Sequence, residues 1–303
     1  MSSSTNRVSQ TSIGVAQLDL NHRPEKNRAL RRFLRHRLAI IALIVLIVIA
    51  ITSILAPVFA PYPYDRIDLS VSGLPPTSQN LFGTDRVGRD ILTRTLYGGQ
   101  VSLLVGIGAT AISTAIGIVI GALSGYYRGW VDVLLMRITD TVMTFPSIVI
   151  MLTLAALLPR SVWNIVLIVG LLSWPGVARL VRAQFMSLRE TEFVLAARCL
   201  GIPDHRIITF HIFPNVLAPL VALITFSVGG AILTEAGLSF LGLGVAPPTP
   251  SWGNMLEAAR NLDILVNLPW TWIPPAVMTV LTVLCVNFIG DGIRDAIDPR
   301  LVL

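Results

Sequence analysis

The chain has 303 residues, of which 53% are hydrophobic and only 13% are charged, and its formal net charge is +6 at pH 7. About a quarter of the residues of a soluble domain are charged, so this composition excludes an ordinary soluble globule. It indicates instead a chain that lies largely within a lipid bilayer.

Six uncharged stretches reach or approach the roughly 20 apolar residues that a helix needs to cross a bilayer. They predict an all-α, polytopic membrane protein with six transmembrane helices, within 38–64, 95–127, 141–159, 161–178, 207–234 and 264–290. A seventh stretch, 236–256, is interrupted by four glycines and a Pro-Pro-Thr-Pro run. Because backbone without hydrogen-bond partners is costly in lipid, we expect this stretch to form an outer loop with room for a short re-entrant helix.

The basic residues predict the orientation of these spans. If the amino terminus is cytosolic, the cytosolic segments and their flanks hold 17 of the 23 Lys and Arg residues, eight of them within 7–37. This bias follows the positive-inside rule, so both termini are predicted to be cytosolic. We divide the chain into a basic amino-terminal segment (1–37), a first span with an external segment (38–95) and a five-helix core (96–303). A nucleic-acid-binding role for the basic arm is the weaker alternative, and we expect no nucleic-acid partner.

The segment that precedes the second span pairs acids with bases four residues later, Asp85 with Arg89 and Asp90 with Arg94. This spacing, with the acid first, favours a helix, which Thr84 could cap. We expect an amphipathic helix at the membrane surface. A surface for an external binding protein is the alternative.

Glycines at positions 117, 121 and 125 form a stripe on one face of the second span. Such stripes let helices approach closely in lipid. We expect tight packing within the subunit rather than a dimer interface.

Three ionisable residues fall within or at the ends of predicted spans, where charges usually have a function or a partner. Arg137 and Asp140 are three residues apart and are expected to neutralise each other near the cytosolic end of the third span. Glu235 has no obvious partner in the sequence. It is a candidate for lining a transport pathway or for holding the outer loop.

A basic loop, 182–214, separates the fourth and fifth spans. Ser187 and Glu190 have the spacing of a capping box, which predicts that a helix begins here. The following residues are compatible with a helix up to Gly201, which suits the left-handed residue that closes a helix.

A second short helix is predicted to begin at Pro203 and Asp204, and Pro214 either stops it or begins the next span. Two helices joined by a glycine turn, presented outside the lipid, would suit docking into the groove of a partner. A solvated loop with no partner is the alternative.

The sequence offers no catalytic or metal-binding set. Lys26 is the only lysine and lies outside any Walker A motif, and the four histidines form no ligand motif. Asp291, Asp295 and Asp298 recur at helical spacing, but Arg294 lies among them, so we expect no metal site.

Part of the basic loop resembles the EAA loop of ABC importer permeases, in which Glu-Ala-Ala is followed by three residues, Gly and a hydrophobic-x-hydrophobic-Pro ending. The residues that match are Ala196, Ala197, Gly201, Phe213 and Pro214. Leu195 stands where that family usually has Glu, and His211 where it has Ile. In the family this loop docks on the ATPase subunit. The resemblance therefore implies a docking role for Leu195, Ala196, Ala197, Gly201, Ile202, Pro203, Asp204, Phe213 and Pro214.

Three further motifs, within 83–90, 238–253 and 290–300, resemble the C-type permease subunits of the dipeptide/oligopeptide/nickel group of ABC importers. The resemblance implies the type I importer permease fold in a bacterial-type cytoplasmic (inner) membrane. The implied partners are a homologous second permease, two ATPase subunits and an extracytoplasmic substrate-binding protein. It also implies that ATP and Mg²⁺ bind to the ATPase subunits and that this chain needs no cofactor.

The expected function is therefore a non-enzymatic permease subunit that forms half of a translocation pathway for peptides or similar small solutes. Nickel, metal chelates or glutathione are alternative substrates. A stand-alone ion- or proton-coupled secondary transporter is the alternative from another class, with Glu235, Arg137 and Asp140 as its coupling groups. A membrane enzyme would need a cluster of nucleophiles or metal ligands, which the sequence lacks.

Overall fold

The computed structural model describes residues 32–34 and 36–297. Most of the predicted amino-terminal segment 1–37, together with Asp298 of the aspartate series, lies outside these residues. The described residues form helices, turns and one isolated bridge between Thr84 and Asp90. The α-helices are α1 (Arg37–Ile54), α2 (Ala56–Phe59), α3 (Ile91–Tyr127), α4 (Gly129–Thr144), α5 (Ser147–Leu157), α6 (Val162–Leu188), α7 (Glu192–Cys199), α8 (Asp204–Phe240), α9 (Trp252–Glu257), α10 (Leu262–Asn267) and α11 (Ile273–Ile297).

Five of these helices, α1, α3, α6, α8 and α11, are long and apolar enough to cross a membrane. The pair α4 and α5 passes the same test only together, and its two helices are bent by 76°. The all-α polytopic fold is thus confirmed, with five helices that can each cross a membrane and a bent pair that would make a sixth, broken span.

The third span departs from the prediction of one helix within 141–159. Pro146 has no amide hydrogen and disfavours helical geometry in the residue before it. Phe145 accordingly has extended angles (φ −89°, ψ 138°), which end α4 and allow α5 to start at Ser147 in a new direction.

The glycine stripe of α3 packs against α6 in the same chain. A Cβ at Gly117 would lie 2.5 Å from the Cβ of Val177, and one at Gly121 would lie 2.5 Å from the carbonyl oxygen of Ala178. At Gly125 the nearest atom, the carbonyl oxygen of Arg182, would be 2.6 Å away. The predicted packing within the subunit is confirmed, and larger side chains would force the two helices apart.

The segment before α3 is a tight loop, not the predicted helix. The Oδ1 of Asp85 accepts the backbone N–H groups of Val87 and Arg89, at 3.0 and 2.9 Å, and these bonds curl the chain into a turn. Gly88 has φ +77°, and a Cβ there would lie 1.8 Å from the carbonyl oxygen of Asp68. The predicted ion pair between Asp85 and Arg89 is present, with Nε–Oδ2 at 2.6 Å.

The helix begins at Ile91, so the prediction that Thr84 caps it was wrong. Asp90 is the cap, because its Oδ2 accepts the N–H of Thr93 at 2.8 Å. Its other oxygen accepts from Asn80 at 2.9 Å. Asp90 therefore does not pair with Arg94, which instead donates to backbone carbonyls.

The interrupted stretch that follows α8 folds as a loop with a short helix, as predicted. That this loop, called the outer loop below, faces outward stays a prediction. Ser251 and Asn254 form a capping box at the start of α9. Trp252 is fully buried, and its indole N–H donates to the carbonyl of Thr95 at 2.9 Å. The loop thereby packs against protein, which satisfies its backbone where lipid could not.

Candidate functional site

The basic loop between α6 and α8 folds into a coupling segment, which we define as residues 191–214. Its helix α7 begins after Thr191. Ser187 still belongs to α6, and Glu190 pairs with Arg128 (Oε1–Nη1 2.5 Å), so the predicted capping box was wrong. The physical reason is that α6 continues to Leu188, nearly three turns (about 10 residues at 3.6 per turn) beyond the uncharged stretch, since its polar end packs against α3 and α4.

Gly201 closes α7 as predicted. It has φ +71°, and its N–H donates to the carbonyl of Arg198 at 2.9 Å. The N–H of Ile202 donates to the carbonyl of Ala197 at 3.1 Å, which completes the usual ending of a helix at a left-handed glycine. A Cβ at this position would meet no heavy atom within 4 Å, so only the backbone conformation calls for glycine.

The predicted second short helix is not separate from the fifth span. It starts at Asp204, passes through a π-helical stretch (Ile207–Ile212) and continues as one helix to Phe240. Pro214 lies in the first turn after that stretch, where a missing N–H is tolerated. It therefore begins the regular part of the span, which was one of the two predicted roles.

One face of the coupling segment is buried against the ends of α3 and α6. Val194, Ile207 and Ile212 are fully buried there, in a cluster that also contains Phe185 and Val181 of α6. Burial of each such side chain contributes roughly 1.5–3 kcal/mol. The segment is thus packed onto the helix bundle and is not a loosely attached loop.

Tyr126, at the end of α3, makes the polar contacts of this junction. Its hydroxyl donates to the Oδ1 of Asp204 at 2.5 Å, and its carbonyl accepts from the Nη1 of Arg189 at 2.5 Å. The guanidinium groups of Arg198 and Arg189 lie 5.1 and 5.7 Å from its ring centre, within the range of cation–π attraction. Burial, followed by the charge of Arg198, lowers the pKa of Arg189 from its ordinary value.

Ion pairs connect α4, the more polar helix of the bent pair, to α6. Asp132 receives two bonds from Arg182, from Nε and Nη2, each 2.6 Å long. Asp140 pairs with Arg179 at 2.6 Å, so the predicted pairing of Arg137 with Asp140 was wrong. Because α4 runs beside α6, a cation of the neighbouring helix reaches Asp140.

Away from this buried cluster, the coupling segment exposes several large apolar side chains among polar ones. Leu200 and Phe210 are exposed by 80% and 75%, and Phe193 and Leu195 are also exposed. We call these four residues the coupling face. Exposed large apolar side chains are typical of a protein-binding surface where lipid does not cover them.

Glu235 lies near the carboxyl-terminal end of α8 and is fully buried. Its carboxylate accepts hydrogen bonds from Ser239 (2.7 Å), Ser251 (2.8 Å) and Ser102 (3.1 Å). The Oγ of Ser102 also accepts the N–H of Trp252 at 3.2 Å. Glu235 thus joins α3, α8 and the outer loop, which is the second of its two predicted roles, and its side chain faces no open space.

A polar notch of about 220 Å³ opens in the middle of the spans. Small and hydroxyl-bearing residues of three helices line it: Ala109, Thr110 and Ser113 of α3, Val169 and Ser173 of α6, and Ser227, Gly230, Ala231 and Thr234 of α8. The buried hydroxyl of Thr110 has no hydrogen-bond partner. Hydroxyl groups at this depth suit contact with water or a polar solute better than contact with lipid.

Comparison with known proteins assigns the family. The family of binding-protein-dependent transport system inner membrane components matches residues 117–303, and the N-terminal transmembrane domain of oligopeptide transport permease C matches 27–76. A Brucella suis protein named as a peptide permease is 45% identical over 276 residues, 91% of each chain. The oligopeptide transport system permease protein OppC of Haemophilus influenzae is 41% identical over 97% of this chain and 94% of its own length. The OppC protein of Bacillus subtilis is 38% identical over 90% and 89%.

The chain belongs to the C-type permease subunits of the oligopeptide ABC importer family. It is thus a multi-pass inner-membrane protein and an ABC importer permease subunit. This identification confirms the resemblance carried by the EAA-like loop and the three further motifs. It gives no support to the stand-alone secondary transporter.

The structure divides the sequence-predicted docking residues of the permease into three groups by exposure. The exposed ones are Leu195, Ala196, Gly201, Pro203, Asp204 and Pro214, the half-buried ones are Ile202 and Phe213, and the buried one is Ala197. Sequence reasoning did not single out Phe193, Leu200 and Phe210, which the structure shows exposed and whose signal was a large apolar residue in an otherwise basic loop. It also missed Tyr126, which is 78 residues from Asp204 and has no local signature.

Proposed function

We propose that the chain forms half of the translocation unit of a peptide importer and that its coupling face docks on a separate ATPase subunit. The names of its relatives support peptides as the cargo over nickel, metal chelates or glutathione. The proposed complex contains a homologous second permease, two ATPase subunits that bind ATP and Mg²⁺, and an extracytoplasmic substrate-binding protein. The permease itself carries no ATPase site.

The observation that carries this proposal is the two-sided character of α7 and the turn that follows it. One side is buried in the ends of the spans, and the other exposes large apolar groups, which the proposed orientation puts in the cytosol. An ATPase groove would remove these groups from water, at roughly 25 cal/mol for each Å² of apolar surface. Leu195 stands where the family usually has an acidic residue. In the proposed complex, an apolar contact made by Leu195 would take the place of the polar contact of that acid.

The contacts of the coupling segment suggest how ATPase movement would reach the pathway. The bond between Tyr126 and Asp204 joins the segment to α3, and the buried cluster joins it to α6. Because Asp132 of α4 is bound by Arg182 of α6, a movement of α6 would carry α4 with it. Closure of the ATPases would therefore displace α3, α4, α6 and α8 together, which is coupling of two distant sites through packed elements.

The hydroxyl-lined notch is our proposed wall of the pathway, in place of Glu235. Peptide backbone carries donors and acceptors at every residue, and hydroxyl groups of serine and threonine can bond to either. We place the coupling segment and both termini in the cytosol and the loops next to α9 outside, as the distribution of Lys and Arg predicts.

The test of the docking role is the substitution Leu200→Glu, which adds a charge to the most exposed residue of the coupling face. We expect the two permeases still to assemble in the membrane but to recover much less ATPase on purification. The matched control is Leu69→Glu, because Leu69 is similarly exposed (71%) but precedes α3 at the proposed outer side. Equal ATPase recovery by the two variants would contradict the proposal.

A further inference from the structure

A wide cleft opens at the proposed outer end of the permease. Its volume is about 710 Å³, and it lies between the start of α3, the connection from α5 to α6, the end of α8 and the segment that contains α9. The charged residues that line it are four arginines and one glutamate: Arg89, Arg94, Arg160, Arg260 and Glu257. The cleft is therefore strongly positive.

Two of the four guanidinium groups are already matched by carboxylates. Arg89 is bound by Asp85, and the Nη1 of Arg260 lies 3.8 Å from the Oε1 of Glu257. Among the described residues, neither Arg94 nor Arg160 has an acidic partner within ion-pair range. The positive charge of the cleft thus comes mainly from these two residues.

Arg94 is the more unusual of the two because only 6% of it is exposed. Its Nη1 donates to the carbonyls of Tyr64 and Pro248, each at 3.3 Å, and these neutral acceptors do not balance its charge. The carboxylate of Asp85 attracts the charge of Arg94, but Arg89 repels it more strongly. A buried cation without an ion-pair partner of its own is costly. An anionic group in the cleft would lower that cost, and arginine binds carboxylates through two parallel hydrogen bonds.

The position of the cleft favours the transported solute as the source of that anion. The cleft reaches α8 at Ser239, and the hydroxyl-lined notch reaches the same helix at Thr234. Five residues of α-helix span about 7.5 Å, so the two openings lie at successive depths along α8. A solute that entered from outside would meet the arginines before the hydroxyl groups.

We propose that this arginine-lined cleft is an entry site that binds the carboxyl-terminal carboxylate of the transported peptide. The proposal rests on the peptide cargo and orientation given under the proposed function. It adds that the permease recognises the cargo's negative end by itself, in the absence of the substrate-binding protein. Arg160 and Arg260, at the exposed rim, would draw in the carboxylate, because the long, solvent-exposed contact of Arg260 with Glu257 binds it only weakly. Arg94 would hold the carboxylate at the base.

The test uses the assembled complex in nanodiscs without the substrate-binding protein, with Cys199→Ser and Cys285→Ala as background. A single Ala258→Cys at the cleft lining reports occupancy through its rate of labelling by a maleimide. The probes are trialanine and trialanine amide, which differ only in the terminal carboxylate. We expect trialanine to slow labelling and the amide to have little effect.

The double variant Arg160→Gln/Arg260→Gln should raise the trialanine concentration needed for protection about tenfold, the effect of losing about 1.4 kcal/mol of binding. The matched control is Arg66→Gln, because Arg66 is an exposed arginine before α3 that does not line this cleft. It should leave protection unchanged.

Equal protection by the acid and the amide, no protection by either, or protection that survives in the double variant would overturn the proposal. A second result would also overturn it: slower labelling without peptide in phosphatidylglycerol nanodiscs than in phosphatidylcholine nanodiscs, if the difference required the same arginines. That result would make the cleft a lipid headgroup site. Since the assay involves neither ATP hydrolysis nor docking through Leu200, its failure would leave the proposed function standing.

Discussion

The substitution Gly201→Val tests whether the backbone conformation of the coupling segment matters for docking, because it strains the turn without disturbing the packing. A Cβ at this position meets no heavy atom within 4 Å, so valine introduces no collision. The backbone angle φ of +71° is nevertheless unfavourable for a β-branched residue, at a cost of roughly 1–2 kcal/mol. The turn can relieve that strain by releasing the bond from Ile202 to Ala197, which re-aims the end of α7 and Leu200 with it.

A strain of this size corresponds to about a tenfold change in an equilibrium constant. We therefore expect the affinity of the permease pair for the ATPase to fall about tenfold for Gly201→Val, since docking then requires the strained turn. Membrane abundance should stay near normal, because the spans and the buried face of the segment are unchanged. Gly201→Asn is the matched control, since asparagine tolerates the left-handed conformation better than other residues with a side chain.

The assay is reconstitution with the second permease, the ATPases and the substrate-binding protein, followed by measurement of substrate-stimulated ATP hydrolysis and subunit recovery. Valine should reduce both docking and stimulation, while asparagine should preserve most of each. A valine variant with a normal complex and normal stimulation would refute the role given to this turn.

Three further predictions concern the pathway, the outer loop and the orientation. In the assembled complex, a water-soluble thiosulfonate should react with Ser227→Cys, which lies in the notch. It should not react with Leu233→Cys, which is exposed on the same helix outside the notch. Equal reactivity of the two cysteines would contradict the proposed wall of the pathway. Glu235→Leu should lower the melting temperature of the purified permease more than Glu235→Gln. Leucine leaves three buried serine hydroxyls without their acceptor, and each unsatisfied hydroxyl costs about 1–3 kcal/mol of stability. Equal melting temperatures would argue against the anchoring role. An impermeant maleimide should label Leu262→Cys in intact cells but Leu200→Cys only after permeabilisation, and the reverse pattern would invert the orientation.

The sequence was most informative where local chemistry decides the structure. Spans follow from the length of apolar stretches, and Gly201 follows from a helix that ends at a residue free to adopt positive φ. The outer loop followed from prolines and glycines that cannot satisfy their backbone in lipid. In each case the physical cause lies within a few residues of its effect.

The errors arose where a distant helix supplied a better partner than the local neighbour. Asp140 has Arg137 three residues away, yet it pairs with Arg179, 39 residues away. Asp90 has Arg94 one turn away, yet it caps the helix and binds Asn80. Spacing along one helix shows which pairs are possible, but only the packing of helices decides between them.

Glu235 illustrates the same limit at the candidate site. Its three serine partners come from α3, from the next turn of α8 and from the outer loop, and Ser102 is 133 residues away. An acidic residue at the end of a span indicated a functional or structural role. The sequence alone could not decide whether Glu235 lines a transport pathway or holds the outer loop. The hydroxyl-lined notch also escaped detection, because single serines and threonines of three spans are unremarkable until the helices bring them together.

The most direct test of the central claim is photocrosslinking from Leu200 in the assembled complex. A benzophenone amino acid at this position should capture the ATPase subunit, and the yield should change between nucleotide-free and ATP-bound states as the ATPases close. The same group at Leu262, a comparably exposed leucine (75%) on α10, should capture no ATPase. Absence of an ATPase adduct from Leu200, or an equal adduct from Leu262, would contradict the coupling role of this segment.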